Sequence, residues 1–165
     1  MRFCRFAAAL ALGAVPFGIW AQDTTYTTTH MTPEVALSAA QDALQSCRDN
    51  GYQVAVAVTD RAGNAIALLR DRYAGAHTVE AATRKAYTAA SFNMDTVELA
   101  EATQSGQETS GIRDVSGVLA VGGGLPIQAA GSLIGGIGVS GAPGGELDRD
   151  CAQAGLDAIE ADLEF

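Results

Sequence analysis

Tyr52-Gln53-Val54-Ala55-Val56-Ala57-Val58-Thr59-Asp60-Arg61-Ala62-Gly63-Asn64-Ala65-Ile66-Ala67-Leu68-Leu69-Arg70 has a period of two in its first part: Tyr52, Val54, Val56 and Val58 fall on one face, Gln53, Ala55, Ala57 and Thr59 on the other. That alternation predicts a strand. Asp60 to Asn64 has turn chemistry, so Ala65–Arg70 returns as a second strand and the stretch is a β-hairpin.

Outward from the hairpin the pattern is helical on both sides. Thr32, Pro33 and Glu34 supply an N-cap, a proline at the first helical position and an acid in the first turn, and Gly51 after Asn50 supplies a left-handed stop. Leu37, Ala40, Leu44 and Cys47 mark the expected inner face of that helix. Beyond Tyr73 and Gly75, Thr78 is placed to cap a second helix running to about Phe92, with Val79, Ala82, Ala86 and Ala90 along one side. Asp95-Thr96-Val97-Glu98 resembles a capping box and opens a third, shorter helix.

Residues 104–117 show no clear periodicity and read as a mobile loop. Val118–Val121, Leu125–Gln128 and Leu133–Val139 follow as three short strands separated by Gly122-Gly123-Gly124 and Ala130-Gly131, spacings that favour antiparallel pairing. A last helix begins near Glu146, with Ala152, Leu156, Ile159 and Leu163 inward. The expectation is an α/β (α+β) domain with a five-stranded, mainly antiparallel sheet covered by helices.

The ends of the chain bear on where it works. Arg2 and Arg5 precede an apolar run from Phe6 to about Ile19, and Ala21 is a small residue where a signal peptidase would cut. Residues 1–21 therefore read as a signal peptide, the run being shorter than the roughly 20 residues a spanning helix needs. The expected localisation is periplasmic or secreted, with no membrane insertion after cleavage. Residues 22–31, polar and threonine-rich, read as a flexible lead-in to one domain over 32–165. The net charge of −9 becomes more negative once Arg2 and Arg5 are gone, a field that repels nucleic acid and anionic lipid. Loss of Cys4 leaves Cys47 and Cys151, either bridged, as export permits, or two buried thiols.

Candidate chemistry is sparse. Gly136-x-Gly138-x-x-Gly141 matches a dinucleotide fingerprint in letters, but these glycines lie within and just after a strand, where they instead let a helix, a neighbouring subunit or a ligand approach the backbone. Gly122-Gly123-Gly124 lacks the Lys-Ser/Thr pair of a phosphate loop and reads as a tight turn. Of the two histidines, His30 lies in the lead-in, so a structural zinc site lacks ligands, and no nucleophile elbow marks a hydrolase. His77 stands beside the predicted cap Thr78, where the helix dipole favours a neutral ring able to ligate haem iron. Tyr73, Gly75 and Val79 are candidates for the wall of such a site, and Arg70, Arg72, Arg84 or Lys85 for partners of haem propionates. The alternative is a surface histidine that caps the helix.

Val54–Asn64, Glu80–Ala90, Gly122–Ile127 and Gly135–Ala142 together resemble, in order, the signatures of the GlcG/HbpS-like family of haem-binding proteins. The resemblance spans Pro33 to about Leu163. It implies a profilin-like three-layer α/β/α sandwich, a homo-oligomer and haem as cofactor, with Cys47 and Cys151 on adjoining first and last helices and so placed to form a disulfide. Family members hold haem through different side chains, including a threonine in a Gly-Gly-Thr-Pro motif of the secreted sensory type. This chain has Gly124-Leu125-Pro126 there, which turns the expectation toward His77, with Tyr73 or Tyr87 next. The function expected is that of an exported, non-enzymatic haem-binding protein in haem or iron handling or redox sensing. The alternative is a periplasmic accessory protein that binds a small organic acid or other metabolite in an oxidation pathway.

Overall fold

The computed structural model describes residues 24–164, so the signal-peptide reading of residues 1–21 lies outside the described residues. Residues 24–32 have no regular secondary structure, yet Met31 is already buried in the core.

Helix α1, Pro33–Asp49, starts where the sequence places it, the Thr32 side chain accepting from the Val35 N–H at 3.4 Å. Its chain leaves through Gly51 at φ +80°, a conformation that costs glycine little. Strands β1, Ala55–Asp60, and β2, Ala65–Arg70, form the antiparallel hairpin, with Ala55 opposite Arg70 and a register shift between Val58 and Thr59. Next come α2, Thr78–Phe92, and α3, Thr96–Ala102, the latter capped by the Asp95 carboxylate on the Val97 N–H at 2.8 Å. Strands β3, Gly124–Ala129, and β4, Ser132–Ser140, precede α4, Gly145–Ala158, and the short α5, Glu160–Leu163.

The sheet is antiparallel throughout, in the order β2-β1-β4-β3. It has four strands rather than the five expected. Val118–Val121 stays outside because α2 meets its backbone groups: the Thr88 hydroxyl accepts from the Leu119 N–H at 2.9 Å, and Arg84 donates to the Val118 carbonyl at 2.7 Å. With those groups satisfied, nothing drives the segment into a ladder. Residues 104–117 also differ from the expected loop. Glu108–Asp114 forms a 3-10 helix, and Arg113 ties it to the carbonyls of Thr103 and Ala100 at 2.7 and 2.8 Å.

Both faces of β1 are buried, which makes three layers. Val54, Val56 and Val58 face α1 and α4, whereas Ala55 and Ala57 pack with Ala82 and Ala86 of α2. Small residues on the second face bring α2 down onto the sheet. A Cβ at Gly136 would lie 2.4 Å from the Ala86 carbonyl oxygen, and one at Gly138 would lie 2.2 Å from that of Ala82. The glycine pattern thus serves helix-on-strand packing and not a dinucleotide. We expect Gly138→Ala to cost about 3 kcal/mol, because the clash is backbone against backbone and cannot be relieved by a rotamer change. Thermal unfolding should show Tm falling by about 10 °C; an unchanged Tm would contradict the close approach of α2.

On the other face α1 packs against α4 through small residues. A Cβ at Gly155 would lie 2.5 Å from the Ala39 carbonyl oxygen, and the buried stripe of α1 runs through Ala36, Ala39, Ala40, Ala43, Leu44 and Cys47. Leu37, expected inside, is 41% exposed, because the buried stripe is centred on Ala36, Ala40, Ala43 and Cys47 and Leu37 falls beside it. Cys47 and Cys151, on α1 and α4, form a disulfide across this contact with their Cα atoms 5.4 Å apart.

Candidate functional site

At one end of the sheet, where β1 is entered and β4 is left, a cavity of about 580 Å³ opens between the 71–77 loop, the first turns of α2 and α4, and residues 119–121. Its size lies within the usual range for small-molecule sites.

The loop forming its mouth is held at both ends. Arg48 on α1 donates from Nε to both carboxylate oxygens of Asp71, at 2.9 and 3.2 Å, and Asp71 is only 3% exposed. The Arg70 guanidinium donates to the Ala74 carbonyl. Between these anchors Tyr73 stands 79% exposed beside the cavity. Gly75 then makes room for His77, since a Cβ there would lie 2.7 Å from the imidazole Cε1.

The helix start differs in detail from expectation. Thr78 is the first residue of α2, its hydroxyl donates to the Gly75 carbonyl at 2.7 Å, and His77 holds the N-cap position with no side-chain bond to the helix. By position His77 is the exposed cap residue of the alternative reading, without a side-chain bond to the helix. The imidazole is exposed, lines the cavity and is uncommitted to the helix end.

The floor is charged and buried. Lys85 and Asp148 are 3% and 4% exposed and pair at 2.7 Å from Nζ to Oδ2. Lys85 donates also to the Val139 carbonyl at 2.9 Å, and Asp148 Oδ1 accepts from the Ala142 N–H at 2.9 Å. Burial pushes the Asp148 carboxyl above its ordinary range, and the Lys85 ammonium and the amides of Ala142 and Gly141 draw it part of the way back. Apolar groups of Ala81, Leu119, Val121, Ala142 and Pro143 complete the walls.

Of the residues singled out from the sequence, the fold brings Tyr73, His77 and Lys85 to this one cavity. Arg72 is exposed next to Tyr73 but does not line it. Arg84 lies elsewhere, donating to the carbonyls of Gly117 and Val118 and pairing with Glu80 at 3.4 Å. Tyr87 packs over Gly63 and Gly117, and His30 bonds Thr28 at 2.7 Å in the lead-in. Asp148 escaped notice in the sequence. Its signal was an acid in phase with Cys151, Ala152 and Gly155, the buried positions of α4. Among the described residues no group of three or more His, Cys, Asp or Glu could hold a metal ion, and no helix is long and apolar enough to cross a membrane.

Comparison with known proteins agrees with this architecture. Residues 31–157 match a family model described as "Haem degrading protein HbpS-like". An uncharacterized 15.0 kDa protein of the dhaT-dhaS intergenic region of Citrobacter freundii is 31% identical over 131 residues, 76% of this chain and 92% of that one. A crystal structure of a double mutant of HbpS from Streptomyces reticuli superposes with a TM-score of 0.79 at 37% identity, covering 93% of this chain and 99% of that one. A PduOC:heme complex does so with a TM-score of 0.75 at 28% identity, covering 79% and 96%.

Proposed function

The chain belongs to the HbpS-like family, and on that footing we propose that it is an exported haem-binding protein whose haem enters the cavity beside Tyr73 and His77. The observation that carries this reading is an exposed imidazole, uncommitted to the helix end, on the wall of a 580 Å³ cavity with an aromatic side chain at its mouth. The residues present fit the group. His77 would supply a nitrogen donor to haem iron, and the apolar wall of Ala81, Leu119 and Val121 would suit a porphyrin edge. Bound haem would supply iron able to change oxidation state. The chain's own part is to bind and orient it: Arg48 and Asp71 hold the loop that carries Tyr73, and Gly75 leaves space for the His77 ring. The reading is of a binding protein, not of turnover.

Export rests on the charged and apolar start of the chain, and the Cys47–Cys151 disulfide suits an oxidising compartment. Intact mass of the exported protein should begin at Gln22; a chain retaining Met1 would contradict cleavage. Self-association is proposed as well, and light scattering at micromolar concentration should exceed the monomer mass.

Titration with haemin tests the ligand. A saturable Soret shift is expected at stoichiometric haemin, and its absence would overturn the haem reading. His77→Ala should weaken binding about tenfold or change the iron's spin state, while His30→Ala leaves both unchanged. An unaltered spectrum in the His77 variant would move the ligand to another side chain, Tyr73 first.

A further inference from the structure

The floor of the cavity contains a donor that coordination by His77 does not use. Both carboxylate oxygens of Asp148 are committed, Oδ1 to the Ala142 N–H and Oδ2 to Lys85. An ammonium has three N–H donors. Lys85 gives one to Asp148 and one to the Val139 carbonyl, and the remaining one has no acceptor among the described residues. Lys85 is 3% exposed and lines the cavity, so the open side of that cavity is where an acceptor can reach it. Leaving a charged donor unmatched in a buried place is costly, which favours an occupant that accepts.

Two further observations concern the sign of that occupant. Helices of 15 and 14 residues, α2 and α4, both begin at this cavity, and neither N-cap residue, His77 or Gly144, makes a side-chain bond to the first turn. Their dipoles place partial positive charge there. Asp148 is the one acidic residue on the lining, and Lys85 already neutralises it. Glu80 and Glu146 stand in the two first turns but not on the lining, so an anion in this cavity meets no unpaired carboxylate on its walls.

We infer that the cavity floor is a carboxylate-binding subsite, in which one carboxylate of the ligand accepts the third N–H of Lys85 and faces the first turns of α2 and α4. The inference shares with the haem reading the assumption that this cavity is the ligand site, but does not require haem. A haem propionate and a free small organic acid present the same group.

The test uses four probes on the purified protein: succinate, its neutral analogue succinamide, haemin, and the dimethyl ester of haemin, whose propionates are blocked. Amide resonances of Thr78, Gly144 and Gly145 report on the floor, and the Soret band on the iron. Lys85→Met alone would leave Asp148 buried without its partner and could unfold the chain. The double variant Lys85→Met/Asp148→Leu removes both charges and keeps the test open.

If free acids are the source, succinate shifts these amides saturably, succinamide does not, and the double variant loses the effect by about tenfold in affinity. If the propionate is the source, succinate is silent while the ester binds about tenfold more weakly than haemin, a difference that vanishes in the double variant. Either result supports the subsite. It is overturned if succinate is silent and the ester matches haemin, or if the succinate shifts or the preference for haemin over its ester persist in the double variant. Binding of succinate without any Soret response would retain the subsite and reject haem, whereas equal binding of haemin and ester with no succinate response would do the reverse. No response to any probe would reject both.

Discussion

Reduction of the Cys47–Cys151 disulfide, or replacement of both cysteines by alanine, is expected to destabilise the protein by about 4–5 kcal/mol. The bridge joins residues 104 apart, so it removes more freedom from the unfolded chain than a short loop would. Both cysteines are buried where α1 crosses α4, at 0% and 2% exposure, and the contact around them is built of alanine and glycine. Those residues bury little apolar area each, so this helix pair draws less on hydrophobic burial than a leucine-rich contact would and depends more on the covalent link. Thermal unfolding followed by far-ultraviolet circular dichroism should show Tm lower by about 15 °C in the alanine variant. Alkylation before and after reduction establishes the thiol count. Two alkylated thiols in the untreated protein, or a Tm unmoved by their loss, would contradict the stabilising bridge.

Lys85→Met should be almost as damaging, at about 3–5 kcal/mol near neutral pH, because it leaves the Asp148 carboxylate buried without its counter-charge. The double variant Lys85→Met/Asp148→Leu should recover much of that loss, since an apolar pair in place of a buried ion pair is often neutral or better. A double variant less stable than Lys85→Met would mean that the pair is worth more than its desolvation, contrary to this expectation. The loss also depends on pH. Asp148 has a folded-state pKa raised by burial above its unfolded value. A carboxyl shifted that way binds the additional proton in the folded state. Its contribution is fully present below the unfolded value of about 3.9 and disappears as pH rises through the folded one. Removing Lys85 raises the folded value further and widens that window. Urea titrations should therefore find the deficit of Lys85→Met smaller near about pH 4 than near neutrality. A deficit that grows toward acid would contradict the buried carboxylate as its cause.

How much was legible in the sequence differs between the fold and the site. Thr32-Pro33, Asp95 and Gly51 announce their helix ends because capping is local chemistry, settled within a few residues. Val118–Val121 misled because its apolar run is that of a buried strand, while its pairing partners are side chains of Arg84 and Thr88 some thirty residues earlier. Leu37 misled for a related reason. Hydropathy ranks leucine above alanine, but the stripe turned inward is centred on Ala36, Ala40, Ala43 and Cys47, and Leu37 stands beside it.

By itself, then, the sequence determined the hairpin, the main helices and most of their ends, the two faces of β1 written in its Val and Ala alternation, the family signatures, and Cys47 and Cys151 as a candidate pair. These are periodic or local properties, carried by neighbours along the chain. Only the tertiary structure decided that Tyr73, His77 and Lys85 share one cavity, that Arg84 is turned to the Gly117 and Val118 carbonyls, and that Asp148 closes the floor. Lys85 and Asp148 are 63 residues apart, and a pair so separated has no period to betray it. It exists because the packing of α2 over Gly136 and Gly138 and the start of α4 after Gly144 bring the two side chains into the same buried space, where each must find the other or remain an uncompensated charge.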